Sequence, residues 1–227
     1  MGYEWDFGVV LRDFDLLLWG LLNTLKVTVA ALAFGVPLGL AVAVARLSQH
    51  RLIAWPVGFF IEFFRSTPPL VQLFWFFFAM PILLGIRVDP FEAAVLTLSL
   101  QSSAFFAEVF RGGIISIEAS QWEAGRAIGM SHRQLLRRVI LPQAVKRMIP
   151  AFLERVIELT KTTSLVAAIS YADLLYEANA IAQATYRPLE VFTVAAGLYF
   201  AVLFPTSLAV RGLERRLAVS GESTAAG

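Results

Sequence analysis

The chain has 227 residues, of which 58% are hydrophobic and only 16% charged, with a mean hydropathy of +0.69. Soluble domains carry about 25% charged residues, so this balance, with a net charge of only +2, argues against a water-soluble globule, a disordered chain and a nucleic-acid binder. Cys is absent and only His50 and His132 supply imidazoles, which removes disulfides and thiolate chemistry and leaves little for a metal site. The composition predicts an all-α, polytopic membrane protein.

Along the chain, Glu4, Asp6, Asp13 and Asp15 stand where a secretory signal would be basic, so the first apolar run is expected to stay as a helix. A bilayer core of about 30 Å needs roughly 20 apolar residues per helix. Five runs approach this, at about 16–45, 56–84, 91–110, 148–169 and 191–210, the fourth weakened by charges. Gly35, Pro37 and Gly39 interrupt the first and Pro68-Pro69 the second. Such breaks survive in lipid only where protein or a wet cavity satisfies the freed backbone groups. Residues 1–227 thus read as one transmembrane domain of five spans. Asn23 and Thr24 read as interhelical hydrogen-bond partners. The aromatic run over 63–78 reads as packing, Trp5, Trp19, Trp55 and Tyr199 as interfacial anchors, and the polar tail from Ser220 as frayed.

The distribution of Lys and Arg predicts orientation. The side holding the N-terminus exposes Arg12, Arg87 and Arg187, whereas twelve bases fall on the other side, seven of them in the loop over 111–147. That side is expected to be cytoplasmic, with the N-terminus outside and the C-terminus inside.

The loop over 111–147 carries its own structural signals. Ser120-Gln121-Trp122-Glu123 fits a capping box, with Ser120 starting a short helix that stops at Gly129. A second box, Ser131 to Gln134, starts a helix carrying Leu135, Leu136, Val139 and Ile140. Pro142 and Pro150 then turn the chain back toward the membrane. On these signals alone the loop is either a docking knuckle or an ordinary basic loop with surface helices.

Glu123-Ala124-Gly125, then Gly129, then Ile140-Leu141-Pro142, resembles the EAA signature of ABC importer permeases. The string Gln121 to Met130, Leu141 to Ala144, Asn23-Thr24-Leu25, Phe64-Arg65-Ser66-Thr67-Pro68, Ala107 to Ile114 and Lys161-Thr162-Thr163-Ser164-Leu165 is similar to the polar amino acid uptake branch, in order and spacing. Gly125 stands where that signature usually has Ala, at about 1 kcal/mol of helix propensity. The resemblance implies a type I importer permease whose knuckle is a coupling helix docking on a separate ATPase subunit. Trp122, Glu123, Ala124, Gly125, Arg126, Ile128, Gly129, Leu141 and Pro142 would carry that contact. Trp122 and Ile128 would be its apolar anchor, and Glu123 and Arg126, at i,i+3, could pair with each other or with the partner.

Ionisable residues at membrane depth cost about 2.5–3.5 kcal/mol each on insertion scales, so each needs an account. Glu154, Glu158, Lys161 and Thr162 share one helical face beside Ser164. They could line a path for a zwitterion, with Lys161 meeting a carboxylate and Glu158 an ammonium, or form a self-neutralised ladder. Glu108 is one turn from Arg111, and Arg65 one turn from Glu62. Both Glu108 and Arg65 are candidates for the path, against ion pairing for the first and snorkelling for the second.

The expected function is the permease subunit of an ATP-driven importer for amino acids or similar small polar solutes. Its implied partners are an ATP-binding subunit, a second permease (self or paralogue), an extracytoplasmic solute-binding protein and the lipid bilayer, with no nucleic acid. No G-x-x-x-x-G-K-[ST] phosphate loop occurs in the chain, so ATP and Mg would be handled by the partner, with no cofactor in this chain and no enzymatic role. An ion-gradient-driven carrier or channel and a non-transporting scaffold are the alternatives. The expected location is the bacterial inner membrane.

Overall fold

A computed structural model describes residues 3–48 and 50–222, with side chains through 213. The described residues form eleven α-helices and no strands. In order they are α1 (Gly8–Arg12), α2 (Phe14–Arg46), α3 (Arg51–Ser66), α4 (Pro69–Phe74), α5 (Met80–Leu84), α6 (Pro90–Ile115), α7 (Ala119–Ala127), α8 (His132–Leu135), α9 (Leu141–Thr162), α10 (Leu174–Thr185) and α11 (Pro188–Glu222). The tail expected from Ser220 lies largely outside the described residues.

Helices α2 and α6 form the centre of the bundle. Along α2 the buried positions Gly20, Thr24, Val27, Ala31, Gly35, Gly39 and Ala43 make a stripe of mostly small residues. Small residues let helix backbones approach closely in lipid, where no hydrophobic force holds them together. The approach is tight: a Cβ on Gly39 would lie 2.7 Å from Phe106 Cβ and 2.9 Å from the Ser103 carbonyl oxygen. A Cβ on Gly20 would lie 2.9 Å from the Asp173 carbonyl. Gly35, Pro37 and Gly39 therefore do not break α2; two of the three are contact points.

Three helices are long and apolar enough to cross a membrane: Phe14–Arg46, Pro90–Ile115 and Pro188–Leu213. The bent pair Arg51–Ser66 and Pro69–Leu84, at 105°, makes a fourth if taken as one span. The expected count of five is therefore not reproduced on length and composition. The difference is α9, where Lys146, Arg147, Glu154, Arg155, Glu158 and Lys161 dilute the apolar residues.

Proline placement explains two irregular turns. A π-helical turn at Trp75–Ala79 precedes Pro81, and another at Leu136–Ile140 precedes Pro142. A proline ring clashes with the carbonyl four residues earlier and offers no N–H to it. Widening the preceding turn relieves both problems without ending the helix. Pro142 thus sits within a helical path that continues past Pro150 to Thr162.

At the other end of the molecule, the N-terminal segment is tied to α11. Glu190, fully buried, accepts from the Tyr3 hydroxyl (2.5 Å) and the Asp6 amide (3.1 Å). Arg187 donates to Glu190 at 3.4 Å and to the Glu4 carbonyl at 2.8 Å. Asn23 donates to the Ala172 carbonyl at 2.8 Å, and Thr24 accepts from the Leu174 amide at 3.2 Å, so the two act as interhelical partners. Trp5, Trp19 and Trp55 are exposed as interfacial anchors should be, but Tyr199 packs into the cluster of Leu17, Leu174 and Val191 with its hydroxyl buried.

Candidate functional site

The loop after α6 forms a compact knuckle. Helix α7 is capped by Glu118, without a side-chain cap bond, and Ser120 Oγ donates to the Glu118 carboxylate at 3.2 Å. The Ser120–Glu123 capping box therefore does not form, because the N-cap lies two residues earlier, at Glu118, and Ser120 is inside the helix. The Ser131–Gln134 box does form, with both reciprocal bonds at 3.0 and 3.3 Å. Gly129 ends the first helix in the left-handed region, at φ +76°.

The packing beneath α7 gives Gly125 a reason. A Cβ there would lie 2.3 Å from Leu135 Cδ1, and Leu135 is itself 1% exposed. Gly125 allows α7 to rest directly on the start of the long helix, which offsets its low propensity. Trp122 is half-buried, stacked on His132 at 6.0 Å and packed against Leu135 and its neighbours. It braces the knuckle from inside rather than standing as a free anchor. Ile128, 78% exposed, is the apolar side chain left outside. Glu123, Ala124, Arg126 and Gly129 are exposed around it, and Glu123 and Arg126 make no ion pair with each other. Leu141 is half-buried and Pro142 exposed where the path toward α9 resumes.

The second feature is a cavity of about 140 Å³ between α3, α4, α6 and α9. It is lined by Arg65, Thr67, Gln101, Ser102, Phe105, Arg155, Glu158 and Thr162, among others. Arg155 donates to Glu158 one turn on. The Phe105 ring is approached by two guanidinium groups, with Arg155 Cζ 4.7 Å and Arg65 Cζ 5.8 Å from its centre. Cations over an aromatic face are attracted by its quadrupole.

Of the residues expected on a solute path, Arg65, Glu158 and Thr162 come together here. Lys161 faces a wider groove between α9 and α11, with Glu154, Ser207 and Arg211, and Glu158 borders this groove as well as the cavity. Glu108 is held by Arg111 through two bonds, of 3.0 and 2.6 Å. The Ser164 hydroxyl donates to the Lys161 carbonyl. Phe105, Gln101, Ser102 and Arg155 were not singled out by sequence. Only Arg155 carried a signal, its i,i+3 spacing to Glu158.

Residues 35–219, most of the chain, match the family of binding-protein-dependent transport system inner membrane components. The chain belongs to this family. The arginine transport system permease protein ArtQ of Bacillus subtilis is 34% identical over 212 residues, covering 93% of this chain and 97% of the relative. The L-cystine permease TcyB of the same organism is 38% identical over 215 residues, covering 94% and 91%. The glutamate/aspartate import permease GltK of Escherichia coli O157:H7 is 35% identical over 223 residues, covering 95% and 100%. Among solved structures, an amino acid ABC transporter crystallised with histidines superposes with a TM-score of 0.89 at 35% identity, over 94% of this chain and 100% of that one. The MetNI methionine ABC transporter, in an inward-facing form, shares the fold at a TM-score of 0.67 and 23% identity, over 89% and 98%. The permease is a transport protein of the type I importer fold rather than an enzyme, and it is a multi-pass membrane protein.

Proposed function

We propose that the permease forms the membrane passage of an ATP-driven importer for amino acids or closely related small polar solutes. Two permease subunits, identical or paralogous, enclose the passage. A separate ATP-binding subunit, which holds ATP and Mg, docks on α7, and an extracytoplasmic solute-binding protein delivers solute to the opposite face. The knuckle is cytoplasmic, the N-terminus lies outside, and the membrane is the bacterial inner membrane. One observation carries this reading. An exposed face of Ile128, Glu123 and Arg126 sits on a helix fixed through Gly125 to Leu135, at the start of the helical path that reaches Arg155 and Glu158 in the cavity.

Movement of the ATPase subunits would thus be transmitted to the cavity wall without an intervening flexible loop. Exposed apolar and Arg residues at the middle of a small interface are the usual hot spots.

Co-purification and uptake in proteoliposomes test it. Ile128→Asp should leave the permease folded but reduce capture of the ATP-binding subunit at least tenfold and abolish ATP-driven uptake. Uptake that continues without any ATPase subunit and collapses with the ion gradient would overturn the proposal.

A further inference from the structure

Relatedness leaves the charge of the solute open, but the cavity has a definite electrostatic character. Its charged lining is Arg65, Arg155 and Glu158, one positive charge in excess. Glu158 already accepts from Arg155. Arg65 makes no ion pair among the described residues. Glu62, one turn from Arg65, accepts from Ser66 at 3.0 Å, and Glu108, whose charge Arg65 also feels, is bonded directly to Arg111. Gln101 and Ser102 complete the lining with neutral polar groups.

We propose that this cavity selects acidic solutes, with an α-ammonium group and two carboxylates, as in glutamate or aspartate. This rests on the cavity being the solute path. The ammonium meets Glu158, and one carboxylate meets Arg65. The second carboxylate meets Arg155, whose guanidinium offers donors beyond the one used by Glu158; a planar guanidinium can serve two carboxylates at once. Both guanidinium groups lie against the Phe105 ring, one from α3 and one from α9, so the cavity offers two cationic groups carried by different helices. A solute with a cationic side chain would meet Arg155 with no carboxylate left to accept it. Specificity here comes as much from that repulsion as from attraction to the acidic solute.

The test uses the importer purified with its ATP-binding subunit and without its solute-binding protein, so that only the membrane passage discriminates. Equilibrium binding of radiolabelled L-glutamate, L-glutamine and L-arginine is measured for the wild type and for Arg155→Gln, Arg65→Gln and Glu158→Gln, each checked for intact assembly by gel filtration. Glutamate should bind at least tenfold more tightly than glutamine, and arginine more weakly than either. Arg155→Gln should abolish the preference, bringing glutamate to the level at which the same variant binds glutamine. Arginine binding as tightly as glutamate, with all three solutes weakened alike by these substitutions, would overturn the acidic preference while leaving the cavity as the path. No binding, or binding of all three solutes that no substitution alters, would overturn the cavity reading itself.

Discussion

The side-chain amide of Gln72 donates to the carbonyl of Phe64 at 3.1 Å, from the far side of the 105° bend between α3 and α4. The same nitrogen lies 3.1 Å from the Thr67 carbonyl and 2.5 Å from its hydroxyl. The last carbonyls of a helix have no partner within it, and in a membrane water cannot serve. Gln72, 5% exposed, supplies the missing donor and so holds the bend.

Replacing Gln72 with Leu should leave those carbonyls unsatisfied. The expected loss is about 1–3 kcal/mol of stability, visible as a lower unfolding midpoint of the purified importer. Gln72→Glu, a similar shape without the donor, should be at least as damaging.

Gly39→Ala places a methyl group against Phe106 Cβ and the Ser103 backbone, neither of which can rotate away. Overpacking of this kind costs about 1–3 kcal/mol. Gly112→Ala is the control: nothing lies within 4 Å of its Cβ position, and gaining a helix former there should stabilise by roughly 0.5–1 kcal/mol. Thermal unfolding of the two variants side by side checks the difference in sign.

Leu135→Ala removes the surface on which α7 rests. A buried Leu to Ala change costs about 2–5 kcal/mol, here confined to the knuckle. ATP hydrolysis by the assembled importer should persist while uptake per ATP falls several-fold, measured in the same proteoliposomes.

Asp173 links the chain to α10 from outside the spans and caps that helix by accepting from the Tyr176 amide at 2.8 Å. Burial raises its pKa to about 7, only partly opposed by the Tyr176 amide bond. A carboxyl raised in the folded state holds a proton that the unfolded chain has released, so stability falls as pH rises from about 4 to about 7 and is level beyond. The slope contributed by this group approaches about 1.4 kcal/mol per pH unit within that window. Asp173→Asn keeps a capping side chain and should remove this component, flattening unfolding midpoints measured from pH 4.5 to 8.

Much of the bundle was legible because it depends on local chemistry. Apolar length marks α2, α6 and α11, the Ser131 box starts α8, and Gly129 ends α7 in a conformation that favours glycine. Pro68-Pro69 marks where the second span breaks, but the angle depends on Gln72, several residues away and on the other arm. Gly125 looked like a weak helix residue because its partner, Leu135, is brought to it only by the fold. The cavity was half visible: Arg65, Glu158 and Thr162 are distinctive residues, whereas Phe105 gains meaning only where α3 and α9 both reach α6. Helical periodicity puts Glu154, Glu158 and Lys161 on one face and all three border the groove beside α11, whereas Thr162 turns to the cavity that Glu158 also lines, since one helical face is wide enough to border two spaces.

The helical path from the knuckle into the bundle sets a mechanical scale. At about 1.5 Å per residue, Arg155 lies about 21 Å along α9 from Leu141. Tilting such a rod by about 10° around its cytoplasmic end carries Arg155 sideways by roughly 4 Å. That displacement nearly equals the 4.7 Å separating its guanidinium from the Phe105 ring. A small rotation at the knuckle would thus be amplified into a shift of Arg155 comparable with its distance from the Phe105 ring, while Arg65, carried on α3, would not follow it.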